Sequence, residues 1–131
     1  MYKSKTHSKY SLTVHLVFVC KYRHKFLLKL GDVVKSLIVK ACNIYGYDLI
    51  VQEVHKDHIH ILLKYRPQDS ITNIVRNLKS YTTYYIRKYH NNYVSKYIWG
   101  SRRFWSRGYF ACSIGEGASY EIIKQYIKRQ G

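Results

Sequence analysis

Acidic side chains are scarce in this sequence. Seven Asp and Glu stand against 23 Lys and Arg, leaving a formal charge of +16 with the seven histidines neutral. A field of that sign attracts polyanions, and nucleic acid is the usual one. Cysteine is almost as sparse: Cys20, Cys42 and Cys112 are isolated, with no CxxC pair. That excludes a zinc ribbon and a disulfide framework and suits a reducing interior. One proline, Pro67, and seven glycines leave no composition for a linker. No apolar run approaches the roughly 20 residues a membrane span needs, and no basic helix shows the apolar stripe of a membrane-surface binder. The run "LTVHLVFVC" at 12–20 follows a basic start but contains His15 and passes straight into "KYRHK" without a small-residue cleavage site. It is expected to be a strand rather than a signal peptide. A chain of 131 residues is expected to form one domain, 1–131, without room for an ATP-driven motor. The expected location is cytoplasmic, with no membrane partner.

Hydrophobic residues make up 47% of the chain, enough for a packed core, and 15 tyrosines are distributed along it. Most of these are expected to be structural, since strands favour aromatics. After the first strand, Asp32 is a plausible helix cap, with Val33, Leu37, Ile38 and Ala41 at helical spacing and Gly46 as the stop. "YDLIVQEV" and "HIHILLKY" read as two strands joined by a tight turn around Lys56 and Asp57. Asp69 or Ser70 caps a long helix that turns Ile71, Ile74, Val75, Leu78 and Tyr85 inward. Arg76, Lys79, Arg87 and Lys88 fall largely on its other side, as a solvated face or as DNA contacts. An aromatic and basic loop containing Arg102 and Arg103 leads into a further strand. "GEG" at 115–117 breaks the chain before a short final helix. The order β-α-β-β-α-β-α predicts an α+β domain of ferredoxin-like type, an antiparallel sheet with helices packed on a face.

The segment "HKDHIHILL" at 55–63 raises a chemical question, because histidine on an apolar strand is costly without partners for its ring nitrogens. Strand alternation sends His58 and His60 to one face and Ile59 and Ile61 to the other. Two neighbouring neutral imidazoles are half of a metal site. A two-residue hairpin sets His55 opposite His58 and Glu53 opposite His60. Glu53 is then a third ligand, or a carboxylate orienting a ring. The plainer alternative is two histidines hydrogen-bonded at a sheet edge. In the last helix, Tyr126 and Gln130 are four apart and share a face. Tyr126 is either one more core aromatic or a nucleophile, with Gln130 as an oxygen ligand. A phenol, with a pKa near 10, needs a cation nearby to attack at neutral pH. Tyr120 lies about 240° around the helix from Tyr126 and is not paired with it.

Four segments, in order along nearly the whole chain, carry a resemblance: "VHLVFVCKYR", "DHIHILL", "FWSRGYFACSIG" and "IIKQYIKRQ". Together they resemble the single-tyrosine HUH transposases of small bacterial and archaeal insertion sequences, the TnpA type, with their REP-associated relatives. The resemblance implies an RRM-like or ferredoxin-like domain that forms a homodimer. It implies Mg²⁺ or Mn²⁺ on His58, His60 and Gln130; the hairpin pairing adds Glu53 or His55 as an alternative or supporting ligand. Tyr126 is then expected to attack single-stranded DNA bearing a subterminal hairpin, giving a 5′-phosphotyrosine and a free 3′-OH. A second 3′-OH reverses the attack and rejoins the strands. The resemblance also implies active sites shared between subunits, and Gly115 and Gly117 provide a tether that permits it. From charge, Arg76, Lys79, Arg102 and Arg103 are the candidate DNA contacts. Two rival readings stand beside this one. The first is a non-catalytic single-stranded nucleic-acid-binding domain of the same fold. The second is a metal-dependent nuclease that hydrolyses with activated water.

Overall fold

The computed structural model describes residues 12–114 and, beyond them, Gln125, which is helical. Strand β1 spans Leu12–Val19 and is followed by a 3-10 turn at Lys21–Arg23 and helix α1 at Leu27–Tyr45. Strands β2, Asp48–Val54, and β3, His58–Tyr65, form a hairpin. Helix α2 spans Ile71–Val94, and strand β4 spans Phe110–Ile114. The four strands form one antiparallel sheet in the order β2-β3-β1-β4. This is the α+β sheet expected from the sequence; the short final helix expected after Gly117 lies outside the described residues, Gln125 apart.

The sheet has two unlike faces, and the alternation of its strands makes them so. Val14, Leu16 and Phe18 of β1 and Ile59, Ile61 and Leu63 of β3 are buried in the main core with the inner stripes of α1 and α2. On α1 that stripe is Leu27, Leu30, Val34, Leu37, Ile38 and Ala41, spaced three or four apart. The other face carries the pairs Val19–His58, Val17–His60 and His15–Leu62 from β1 and β3. Leu62 packs there with Ile50, Val51 and Ile114. One apolar pattern thus anchors the sheet to the helices and presents the histidines opposite.

Helix boundaries follow packing as well as capping chemistry. Gly46 ends α1 in a left-handed conformation, φ 82°, as its position after the apolar stripe predicts. Asp32 does not start the helix; α1 begins at Leu27, with Phe26 at the capping position. The apolar stripe continues upstream through Leu30 and Leu27, and the Leu27 amide donates to the Lys56 carbonyl at 3.0 Å. A backbone partner therefore serves where a side-chain cap was expected. For α2 the cap is Ser70, whose Oγ accepts from the Asn73 amide at 3.1 Å. Asp69 instead receives the Arg66 guanidinium.

Arg87 corrects the expectation of a wholly solvated basic face on α2. It is buried and donates to three backbone carbonyls: Ser101 at 2.8 Å, Arg103 at 2.8 Å and Arg102 at 3.3 Å. Its remaining group reaches Asn91 Oδ1 at 2.9 Å. Two turns earlier, the Lys79 ammonium donates to the carbonyls of Ser106, Arg107 and Gly108. Trp105, between the two sets, donates to Thr82 Oγ1 at 2.9 Å. These contacts fix the loop from Ser101 to Gly108 along α2, leaving Arg102 and Arg107 exposed. Arg87→Ala strips the partner from three carbonyls and removes a buried, hydrogen-bonded cation. It is expected to cost roughly 3–5 kcal/mol and lower the melting temperature by about 10–15 °C. Thermal unfolding followed by circular dichroism checks this; a fall of only a degree or two would show that the loop does not need the clamp.

Candidate metal centre

The β2–β3 turn is as tight as the sequence suggests. The His55 amide donates to the His58 carbonyl at 2.8 Å, and Glu53 pairs with His60 one step up the ladder. This register brings His55, His58 and His60 together, with one ligand nitrogen from each lying within 4.8 Å of the other two. The rings of His55 and His58 lie 4.7 Å apart and nearly parallel. Glu53 stands opposite His60 but does not belong to the group of three.

Each β3 histidine is held from behind. Asp57 Oδ1 lies 2.7 Å from His58 Nδ1, and Asp57 Oδ2 lies 3.3 Å from Arg23 Nε. The hydrogen bond to His58, with Arg23 beside it, holds the Asp57 carboxyl below its ordinary range against a smaller opposing effect of burial. A carboxylate behind a ligating imidazole fixes its tautomer and orientation. Arg23 reaches this position from a turn in which Tyr22 and Arg23 both have positive φ, 60° and 53°, a conformation that costs a non-glycine residue roughly 1–2 kcal/mol.

His60 has a different support. Its Nδ1 lies 2.9 Å from His15 Nε2 on the neighbouring strand, and the two rings stack at 5.1 Å. Both side chains are buried, His15 at 0% and His60 at 2% exposure. Burial first, and then the neighbouring histidines, push the His60 imidazole down to about 4. Burial lowers His15 in the same direction. His60 is therefore neutral at physiological pH, the form that can ligate a metal.

The fit of a metal rests on two further atoms. His55 Nε2 and His60 Nε2 are buried and lack a hydrogen-bond partner among the described residues. Orphaned buried ring nitrogens are rare and costly unless something binds them. With His58 Nδ1 and His60 Nδ1 already engaged, the Nε2 atoms remain for an ion. The donor set suits a divalent metal.

The structure brings together His55, His58 and His60, the three imidazoles that the hairpin reading sets on one face. Sequence reasoning missed three supporting residues. Asp57 reads in the sequence only as a turn residue, although a carboxylate next to a candidate ligand is the available signal. His15 and Arg23 depend on strand pairing and a strained turn, which no local pattern shows. Tyr126 and Gln130 lie outside the described residues. Among the DNA-contact candidates, Arg76 is exposed on α2. Arg102 and Arg103 line a cleft of about 470 Å³ with Lys79, Ser80, Thr83 and Tyr84. The three N–H donors of Lys79 are directed at the loop carbonyls. Among the described residues, no helix is long and apolar enough to cross a membrane.

A strongly basic α+β sheet with a histidine cluster on one face defines a class: metal-capable proteins suited to polyanions. The family follows from comparison. Residues 8–130 match the family model described as "Transposase IS200 like", and the chain belongs to this family of transposases. It is 30% identical over 129 residues to the transposase for insertion sequence element IS200 of Salmonella typhimurium, covering 98% of this chain and 82% of that one. It is 31% identical over 124 residues to the ISDra2 transposase TnpA of Deinococcus radiodurans, covering 92% and 85%. A crystal structure of a candidate transposase from Deinococcus radiodurans R1 matches with a TM-score of 0.73 at 28% identity, covering 99% of this chain and 98% of that one. A REP-associated tyrosine transposase, solved bound to a REP hairpin, shares the fold with a TM-score of 0.61 at 14% identity. That match covers 98% of this chain and 68% of the other.

Proposed function

We propose that this transposase, acting as one domain over residues 1–131, cuts and rejoins single-stranded DNA through Tyr126. The observation that carries the metal-dependent part is the histidine cluster with its two orphaned buried nitrogens, in a chain of this family. In the first step the Tyr126 oxygen attacks the scissile phosphorus. The bond to the 3′-oxygen breaks, and that oxygen takes a proton. The products are a 5′-phosphotyrosine and a free 3′-OH. Attack by a 3′-OH from another strand forms the new phosphodiester and returns the proton to Tyr126. The covalent link conserves the bond energy, so no nucleotide is consumed. A divalent ion, Mg²⁺ or Mn²⁺, held by His58, His60 and Gln130 would supply positive charge to the phosphate and to the developing phenolate.

The chain's own residues do the rest. His15 and Asp57 hold the two β3 imidazoles in place. Arg102, Arg103 and Arg76 bind DNA phosphates, while Lys79 and Arg87 hold the loop that presents the first two. The solved REP-associated relative binds a hairpin, which supports a hairpin near the cleavage site as the feature recognised by a homodimer. Such a substrate places the protein in the cytoplasm, at the nucleoid. Labelled single strands ending in a hairpin test the proposal on a denaturing gel. A protein-linked strand that forms with Mg²⁺ or Mn²⁺ and disappears with chelator is expected. Cut DNA with a free 5′-phosphate and no adduct would make the protein a hydrolytic nuclease. Binding without cutting would make it a binding domain.

DNA affinity is expected to fall steeply with salt, because phosphate contacts release counterions. Arg102→Ala and Arg76→Ala should each flatten the log–log salt slope by about 0.7–0.9, the single-strand to duplex range. Lys79→Ala should act differently, loosening the loop rather than removing one contact. Titration of affinity against NaCl checks this, and a wild-type slope near zero would remove the electrostatic interface.

A further inference from the structure

The histidine cluster contains one more imidazole than the two-histidine site proposed above requires. We propose that His55 is a third imidazole ligand, so that the site selects a first-row transition ion over Mg²⁺. The proposal rests on the metal-dependent reading of the cluster and extends it to the ion's class.

Three observations converge on His55. Its ligand atom lies within 4.8 Å of those of His58 and His60, near enough for side-chain rotation to bring the three onto one small ion. Its Nε2 is buried and has no hydrogen-bond partner among the described residues, so these offer the atom nothing in exchange for the water it lost. Its backbone is tied by the hydrogen bond to the His58 carbonyl, so a short turn, and not a long loop, sets its position. Asp57 and His15 occupy Nδ1 of His58 and His60, leaving Nε2 as the donor on each. The His55 and His58 rings are 12° from parallel, so one turns about χ2 to share an ion. That terminal torsion is broad and easily moved.

Ligand chemistry then sets the ion. Mg²⁺ prefers oxygen donors in a near-ideal octahedron and keeps several waters. Imidazole suits Zn²⁺, Ni²⁺ and Co²⁺, with affinity rising along the series from Mn²⁺. Three imidazoles on one small patch select against Mg²⁺, and water would complete the shell.

The full chain, stripped of metal by chelator and dialysed, is titrated with Co²⁺ and with Mg²⁺ by calorimetry, and the Co²⁺ absorption bands are recorded. Wild type is expected to bind Co²⁺ at least about 100-fold more tightly than Mg²⁺. His55→Ala should weaken Co²⁺ binding by at least about 10-fold and change the visible bands. His55→Phe keeps a ring against His58 without a ligand atom and should show the same loss, which separates ligation from folding. The remote variant His90→Ala should change neither. Unchanged Co²⁺ affinity and bands in both His55 variants would overturn the third ligand while leaving a site on His58 and His60. Wild type that binds no Co²⁺ would overturn the third ligand and the metal-dependent reading together.

Discussion

Tyr126→Phe is expected to eliminate the covalent protein–DNA adduct, reducing it below about one thousandth of wild type, while hairpin binding stays within about twofold. The substitution removes one oxygen. No other group in the proposed mechanism can form the bond to phosphorus, and loss of a nucleophile costs orders of magnitude. DNA affinity rests on phosphate charge and hairpin shape, neither of which changes. Gel shift and denaturing electrophoresis on the same samples separate the two quantities. An adduct that persists in Tyr126→Phe and disappears in Tyr120→Phe would move the nucleophile to Tyr120. Loss of adduct in both, with hydrolysed product still forming, would point to activated water.

The parts of this protein legible in its sequence are those decided locally. Period-two alternation in "HIHILL" places His58 and His60 opposite Ile59 and Ile61, and the structure sends the isoleucines to the helices. The tight turn follows from the few residues between two apolar runs. Gly46 marks a helix end because a left-handed residue is needed there. What could not be read locally depends on distant partners. Arg87 looks like one more solvated cation until the loop 14 to 16 residues later brings carbonyls to it. Asp32 looks like a cap until the stripe is seen to extend back to Leu27, whose amide finds a carbonyl from the β-hairpin. His15 looks like an ordinary strand residue, and only the β1–β3 register, with a separation of 45 residues, puts it against His60. The supports of the candidate metal centre are thus long-range, while its ligands are local.

Mixing two inactive variants should restore cleavage if the active site is shared between subunits. His58→Ala lacks a ligand of the proposed site and Tyr126→Phe lacks the nucleophile, so each alone should be inactive. In a mixed dimer with shared sites, one site combines both defects and the other combines neither. Random pairing makes half of the dimers mixed, and half of the sites in those are whole. Activity should return to about a quarter of wild type. The sequence supplies a physical reason to expect sharing. Gly115 and Gly117 flank Glu116 and lack the side chains that would restrict the backbone between β4 and the tyrosine segment. The same freedom would let a tyrosine carrying a DNA end pass from one set of histidines to the other, which strand transfer between two cut ends requires. The variants are unfolded together, refolded and assayed, with each refolded alone as control. If every site is built within one chain, each site in any mixture carries one defect or the other. Activity should then stay at the level of the separate variants at every mixing ratio, and that outcome would refute sharing in the cleavage step.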